Sequence, residues 1–247
     1  MPPTPCTRIL RAGGAAVAVL SAVALLPAPA AGQATATDDA SDPALSSDER
    51  GTTYWAYVAQ VTAVRVEPRR SARRTGSLKT HTYYGNNDVV ILLEQSGSWS
   101  RVRYAGVGTR TGWVPTDALD EPERTRSWVT IDLARQRLTA HRGDKTVLRA
   151  PVGIGKRGNA TPSGSFFIRE RVVPGNKGGP YGVLALGLSA YSPHHTGWRG
   201  GGQVAIHGTN QPGLLPGRVS HGCVRMRNRD VLKLNRLARE GTPVVIG

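Results

Sequence analysis

The sequence predicts a mainly β protein: a small β-barrel, then a larger β-rich domain with one short helix near its end. Three observations predict it. Short stretches alternate polar and apolar residues along most of the chain, the period of a half-buried strand. Gly, Asn and Ser punctuate these stretches at turn spacing. An apolar repeat of helical period occurs only close to the C-terminus. The polar run Glu121-Pro122-Glu123-Arg124 separates two folded parts at 54–121 and 126–247, a length comfortable for two modules.

Residues 1–31 read as a secretory signal. Arg8 and Arg11 precede an apolar run from Ala15 to Leu26, and Pro27-Ala28-Pro29-Ala30-Ala31 supplies small residues for cleavage near Ala30 or Ala31. The run is shorter than the ~20 apolar residues a spanning helix needs. The alternative is an uncleaved signal that anchors the chain in the membrane. Either way the body of the protein is expected outside the cytoplasm, in the cell wall or periplasm. Residues 32–53 read as a solvated linker: Asp38, Asp39, Asp42, Asp48 and Glu49 stand against Arg50, without apolar periodicity.

In the first folded part the strand candidates carry Val58, Val64, Val66, Val89 to Leu93, Trp99, Val102 and Tyr104, then Gly112-Trp113-Val114-Pro115. Gly85-Asn86-Asn87-Asp88 and Ser96-Gly97-Ser98 are turns between them. In the second part Val129, Ile131 and Leu133 alternate with Thr130 and Asp132, and Leu138 and Ala140 continue the pattern. Arg142-Gly143-Asp144-Lys145 is a hairpin turn before Val147. Asn228 suits a helix cap, with Val231, Leu234, Leu237 and Ala238 on one face. Gly241 and Pro243 stop the helix before a final strand, Val244-Val245-Ile246.

The formal net charge is +15, and the linker acids leave the folded parts more basic still. Such a field favours a polyanion. With an export signal and no nucleic-acid motif, an anionic cell envelope fits better than DNA or RNA. The plain alternative is a basic surface with no particular partner. Arg69-Arg70 and Arg73-Arg74 read as solvated loop charges.

Of two cysteines, Cys6 falls in the signal, which leaves Cys223 as a lone thiol. It lies in Val219-Ser220-His221-Gly222-Cys223-Val224-Arg225-Met226, sixteen residues after His207 of Ile206-His207-Gly208-Thr209-Asn210. An exported protein normally pairs its cysteines or lacks them. A free thiol has a pKa of about 8.5, so a nucleophilic role needs a neighbouring imidazole or backbone dipole, and both are close in sequence. Three other readings fail. Gly153-Ile154-Gly155-Lys156 lacks the third glycine of a dinucleotide loop at its place. His194, His195, His207, His221 and Cys223 lack the spacings of zinc sites, so no metal is expected; His194 and His195 read as loop residues. A papain-type arrangement has the nucleophile before the base, the reverse of the order here.

On these residues the second part, from about Ser127 to Gly247, resembles the L,D-transpeptidase catalytic domain of the YkuD type. Ile206-His207-Gly208-Thr209 and Ser220-His221-Gly222-Cys223-Val224-Arg225-Met226 match its two-part signature. Gly153-Ile154-Gly155, Thr161-Pro162-Ser163-Gly164-Ser165-Phe166 and Gly241-Thr242-Pro243-Val244 match recurring blocks. Some members have asparagine two places after the cysteine, where this chain has Arg225. The first part, roughly Tyr54 to Asp120, resembles the bacterial SH3-like domain through Val64-Arg65-Val66, Trp99-Ser100-Arg101-Val102 and Gly112-Trp113-Val114, departing from it at Glu67-Pro68. That resemblance implies a wall-peptide binder. Trp99 and Trp113 would then line a groove or, as tryptophans in so small a barrel more often do, fill its core.

The catalytic resemblance implies a peptidoglycan transpeptidase without cofactors, acting on stem peptides. Cys223 would attack the carbonyl joining a diamino acid to D-alanine, release D-alanine and hold the stem as a thioester, which an amine of a second stem resolves. His207 would be the base, oriented by the Gly208 carbonyl. His221 is expected on the same face of an extended segment as Cys223, in an orienting or electrostatic role. The amides of Gly222 and Cys223 are expected to donate to the oxyanion. Ser220 and Arg225 are candidate substrate contacts, Arg225 for a carboxylate or alternatively as a brace. An L,D-carboxypeptidase, in which water resolves the thioester, and a non-catalytic wall-binding protein remain the alternatives.

Overall fold

The computed structural model describes residues 45–194, 197 and 200–247. The signal region 1–31, the first part of the linker and His195 lie outside the described residues. No described helix is long and apolar enough to cross a membrane.

The N-terminal part forms one seven-stranded sheet. Its strands are β1 (Thr53–Tyr57), β2 (Thr62–Arg65), β3 (Arg74–Leu78), β4 (Val89–Ser96), β5 (Trp99–Tyr104), β7 (Arg110–Pro115) and β8 (Glu123–Thr125), in the order β3-β2-β7-β5-β4-β1-β8; β6 (Gly106–Val107) lies apart from it. The β4–β5 hairpin pairs Ser96 with Trp99 across a two-residue turn, and Gly97 takes the left-handed φ of 54° at its tip. Alternation turns Val64, Leu78, Val90, Val102, Tyr104 and Val114 into one buried cluster. Trp99 and Trp113 lie outside that cluster, each half-buried. The end of the expected linker is docked on this sheet, because its polar groups find partners there. Ser47 Oγ donates to the Leu92 carbonyl at 2.5 Å, and the Glu49 carboxylate takes a two-pronged bond from Arg103 at 2.8 and 2.7 Å.

The C-terminal sheet is larger. It contains β9 (Ser127–Asp132), β10 (Arg137–Arg142), β11 (Lys145–Pro151), β12 (Gly153–Gly155), β13 (Gly164–Val172), β14 (Ala185–Tyr191), β15 (Gln203–His207), β16 (Gly217–Ser220), β17 (Val224–Arg225) and β18 (Pro243–Ile246). Their order is β11-β10-β9-β18-β13-β14-β15-β17-β12-β16, and β6 pairs with β14 as an eleventh strand. The expected hairpin at Gly143-Asp144 joins β10 to β11, with Gly143 at φ 53°. The helix α1 (Asn228–Leu237) buries Val231 and Leu234, with Ala238 just beyond, against a core that includes Phe166, Ile168, Leu186 and Ile206. Asn228 departs from its expected capping role. It is the first helical residue, and Oδ1 accepts the Thr209 amide at 3.0 Å and that of Val183 at 3.4 Å, tying down the chain just after β15.

The two sheets belong to one compact unit. Trp55, Val89 and Ile91 of the first sheet bury Phe167 of the second. A Cβ at Gly241 would lie 2.1 Å from the Trp55 ring, so only glycine, here at φ 75°, permits that approach. Arg169 binds Asp88 through Nε at 2.6 Å and Nη2 at 2.5 Å and donates to the Tyr191 hydroxyl at 2.8 Å. Both charges of the pair are buried. Removing one partner strands the other charge in a dry site, so Asp88→Ala is expected to lower unfolding free energy by about 3–5 kcal/mol in urea denaturation. A loss under about 1 kcal/mol, the value of an exposed pair, would contradict this reading.

Candidate functional site

Pleat alternation on four neighbouring strands builds a cavity of about 580 Å³. Residue pairing sets its floor in two rows. Glu170 stands opposite Gly187, and Gly187 opposite Ala205. One residue before the pair Ile206 and Val224, Ala205 in turn faces Cys223. The second row runs Val172, Ala185, His207 and Arg225 by the same pairings. Ile206 and Val224, pointing the other way, enter the core. His207 and Cys223 are therefore diagonal neighbours on one face of two parallel strands, about 8 Å apart along the backbone by ordinary strand spacing. Both line the cavity.

The His207 ring is buried, and Nδ1 lies 2.6 Å from the carbonyl oxygen of Gly208. A carbonyl only accepts, so Nδ1 carries the proton and Nε2 keeps its lone pair. Gly208 thus takes the place expected of it. The tight bend that allows this leaves no room for a side chain, since a Cβ on Gly208 would sit 2.2 Å from Asn228 Oδ1. Tyr181 packs on the imidazole with ring centroids 4.9 Å apart. Burial pulls the His207 pKa down to about 4, with the Gly208 carbonyl opposing and the Arg225 charge assisting. The imidazole is neutral at pH 7, the form a base requires.

Burial also pushes the Cys223 thiol up, against a backbone hydrogen bond at Ala205 and the charge of Arg225. The resting pair is therefore a neutral thiol with a neutral imidazole, so the proton must leave sulfur as attack proceeds. Cys223 is the free cysteine among the described residues and is half-buried.

The loop before it differs from the extended segment expected. Gly222 has φ 118°, and His221 and Gly222 form a bend. His221 does reach the cavity, but through this bend and not by strand alternation. Ser220 is buried and braces the loop. Its hydroxyl accepts the Gly222 amide at 3.1 Å and donates to the Cys223 carbonyl at 2.5 Å. Two expectations change as a result. The Gly222 amide is engaged by Ser220, so it is not open to an oxyanion in this arrangement, and the Ser220 hydroxyl is occupied holding the backbone. The Cys223 amide makes no hydrogen bond among the described residues and remains open as a donor. The Ser220 carbonyl accepts the Lys156 amide at 3.0 Å, which ties the loop to the Gly153-Ile154-Gly155 strand.

Arg225 lines the cavity half-buried, and its Nε is buried without a hydrogen-bond partner. His194 lies outside the cavity lining, exposed in a bend. Among the lining residues that escaped the sequence reading are Tyr84, Glu170 and Tyr181. Tyr181 sits in Gly-Gly-Pro-Tyr-Gly, where only the glycines hinted at a tight loop. Tyr84 comes from the N-terminal part, more than a hundred residues from Cys223, and no local pattern links the two.

Residues 126–246 match the family model described as the L,D-transpeptidase catalytic domain, YkuD. A putative L,D-transpeptidase YkuD of Bacillus subtilis is 34% identical over 128 residues, which cover 52% of this chain and 70% of that protein. Its counterpart in Bacillus licheniformis is 38% identical over 118 residues, 48% of this chain and 64% of that protein. The probable L,D-transpeptidase YbiS of Escherichia coli K12 is 31% identical over 150 residues; the match spans 50% of this chain and just 45% of that relative.

Proposed function

We propose that this chain, which belongs to the L,D-transpeptidase catalytic-domain family, cross-links peptidoglycan stems through a thioester on Cys223. The observation that carries the proposal is the fixed tautomer of His207. With Nδ1–H bound to the Gly208 carbonyl, Nε2 is the ring's free lone pair, on the same face of the sheet as the thiol. In the first half-reaction Nε2 takes the thiol proton as sulfur attacks the carbonyl between the diamino acid and D-alanine. The carbonyl becomes an oxyanion that the Cys223 amide stabilises. The C–N bond then breaks, the proton passes from His207 to the leaving nitrogen, and D-alanine departs. In the second half-reaction a neutral amine of another stem attacks the thioester, gives its proton to His207, and the thiol is restored. The acyl bond energy is kept throughout, so no nucleotide is consumed.

Arg225, with an unpartnered Nε in the cavity, suits the carboxylate of the departing D-alanine. Its charge also favours the thiolate. The N-terminal sheet is proposed to be an SH3-like module joined to the catalytic one, and the whole is proposed to work outside the membrane after export, on an anionic wall that matches its positive charge.

Ser220→Ala removes the brace that aligns Cys223. The expected result is a roughly tenfold to hundredfold fall in the rate of D-alanine release, with little change in KM. Release at the wild-type rate would show that the hydroxyl aligns nothing.

The transferase reading is tested by incubating the exported form with disaccharide tetrapeptide and analysing products by mass spectrometry. Dimers lacking one D-alanine are expected. Monomeric tripeptide alone would make the protein an L,D-carboxypeptidase. Unchanged substrate and no adduct, from folded protein, would leave a wall-binding module.

A further inference from the structure

The cavity has a second charged end that the reaction above does not use. Glu170 of β13 is 1% exposed. Its Oε2 accepts the Thr82 hydroxyl at 2.6 Å and the Asn86 side-chain amide at 2.8 Å, both from the loop between β3 and β4. The other oxygen, Oε1, is buried and has no hydrogen-bond partner among the described residues. A desolvated carboxylate oxygen left bare is costly, and native structures fill such positions with a donor. The neighbouring cation, Arg169, is already engaged by Asp88 and Tyr191.

Pairing also puts this carboxylate in line with the nucleophile. Glu170, Gly187, Ala205 and Cys223 form one row across four strands, about 14 Å end to end by strand spacing on a flat sheet, and less on a curled one. The two positions between the ends carry a hydrogen and a methyl; the Gln203 side chain covers Gly187, its Nε2 2.8 Å from where a Cβ would sit, and Ala205 presents only its methyl. Tyr84 lines the same cavity, and its phenol is pushed up first by burial and then by the charge of Glu170, which places it near that carboxylate.

We propose that Glu170 is the specificity residue for the donor stem: Oε1 receives the side-chain ammonium of the diamino acid whose carbonyl sits at Cys223. The aliphatic arm of that residue lies over Ala205 and beside the Gln203 side chain, and the N-terminal loop holds the carboxylate through Thr82 and Asn86. The first sheet thereby serves catalysis directly. The proposal rests on the transpeptidase reading.

The test measures the first half-reaction alone, as D-alanine release and acyl-enzyme formation by intact mass, so that the acceptor plays no part. Two tetrapeptide donors are compared, one with the side-chain amine free and one with it acetylated. For the wild type, kcat/KM is expected to fall roughly tenfold to a hundredfold on acetylation, the value of one charge-assisted hydrogen bond. In Glu170→Gln the ratio between the donors is expected to shrink to about twofold or less. Equal use of the two donors by the wild type would overturn the proposal without needing any variant. So would a Glu170→Gln enzyme that keeps the full ratio. If Glu170→Gln fails to fold, Asn86→Ala, which frees Oε2 from one donor, is expected to shrink the ratio partially, and an unaltered ratio there overturns the proposal. Failure of the wild type to form an acyl-enzyme with either donor would instead defeat the transpeptidase reading itself.

Discussion

Replacing Cys223 with alanine is expected to reduce D-alanine release from a tetrapeptide donor to below about one-thousandth of the wild-type rate. The reason is chemical. The described residues offer no second thiol, and the His207 imidazole is buried. A water molecule in place of sulfur would have to attack an unactivated amide. The variant should fold normally, since Cys223 is not a member of the apolar core cluster and the change removes a single atom. Release is followed by a coupled D-alanine assay and folding by thermal melting. Residual turnover within tenfold of wild type, from a folded variant, would move the nucleophile elsewhere.

Replacing His207 with alanine is expected to cost about a hundredfold to ten-thousandfold, the range for a lost general base, and to change the form of the pH profile. The sign follows from the two environments. Burial lowers the His207 pKa to about 4, so the base form persists down to that pH and the wild-type kcat/KM should fall only below it, far under the ordinary imidazole value of 6.5. Burial raises the Cys223 pKa, so without the base the reaction depends on a scarce thiolate. The variant's rate should then climb about tenfold per pH unit through neutrality, where the wild type is flat. An acid limb near 6.5 in the wild type would mean a solvated imidazole. A flat profile in the variant would mean that His207 is not the base.

What the sequence made legible was local. His207 and Cys223 each sit in a short motif, and parallel pairing of β15 with β17 brings the two motifs together, as their chemistry required. The Gly143 turn and the apolar face of α1 were legible for the same reason, because period and turn chemistry act within a few residues; the helix itself stops at Leu237, with Ala238 extended as its cap, before the expected Gly241. The Gly208 carbonyl was expected from the resemblance and lies one residue from the ring it holds. Contacts across long separations escaped. Asp88 and Arg169 are 81 residues apart, and Thr82 and Glu170 are 88 apart. Nothing in either segment announces the other. Ser220 and Gly222 misled at short range, because the same atoms that suit an oxyanion or a substrate also suit each other once Gly222 turns to φ 118°. Asn228 misled likewise: a residue fit to cap its own helix instead accepts the amides of Thr209, just after β15, and of Val183, just before β14.

The central claim is that the sulfur of Cys223 becomes acylated with His207 taking its proton. Trapping the enzyme with a tetrapeptide donor at low acceptor concentration, followed by proteolysis and mass mapping, tests it most directly. The tripeptide acyl mass is expected on the peptide that contains Cys223, formed far more slowly in His207→Ala. An adduct on any other residue, or turnover with no adduct and no dependence on His207, would contradict it.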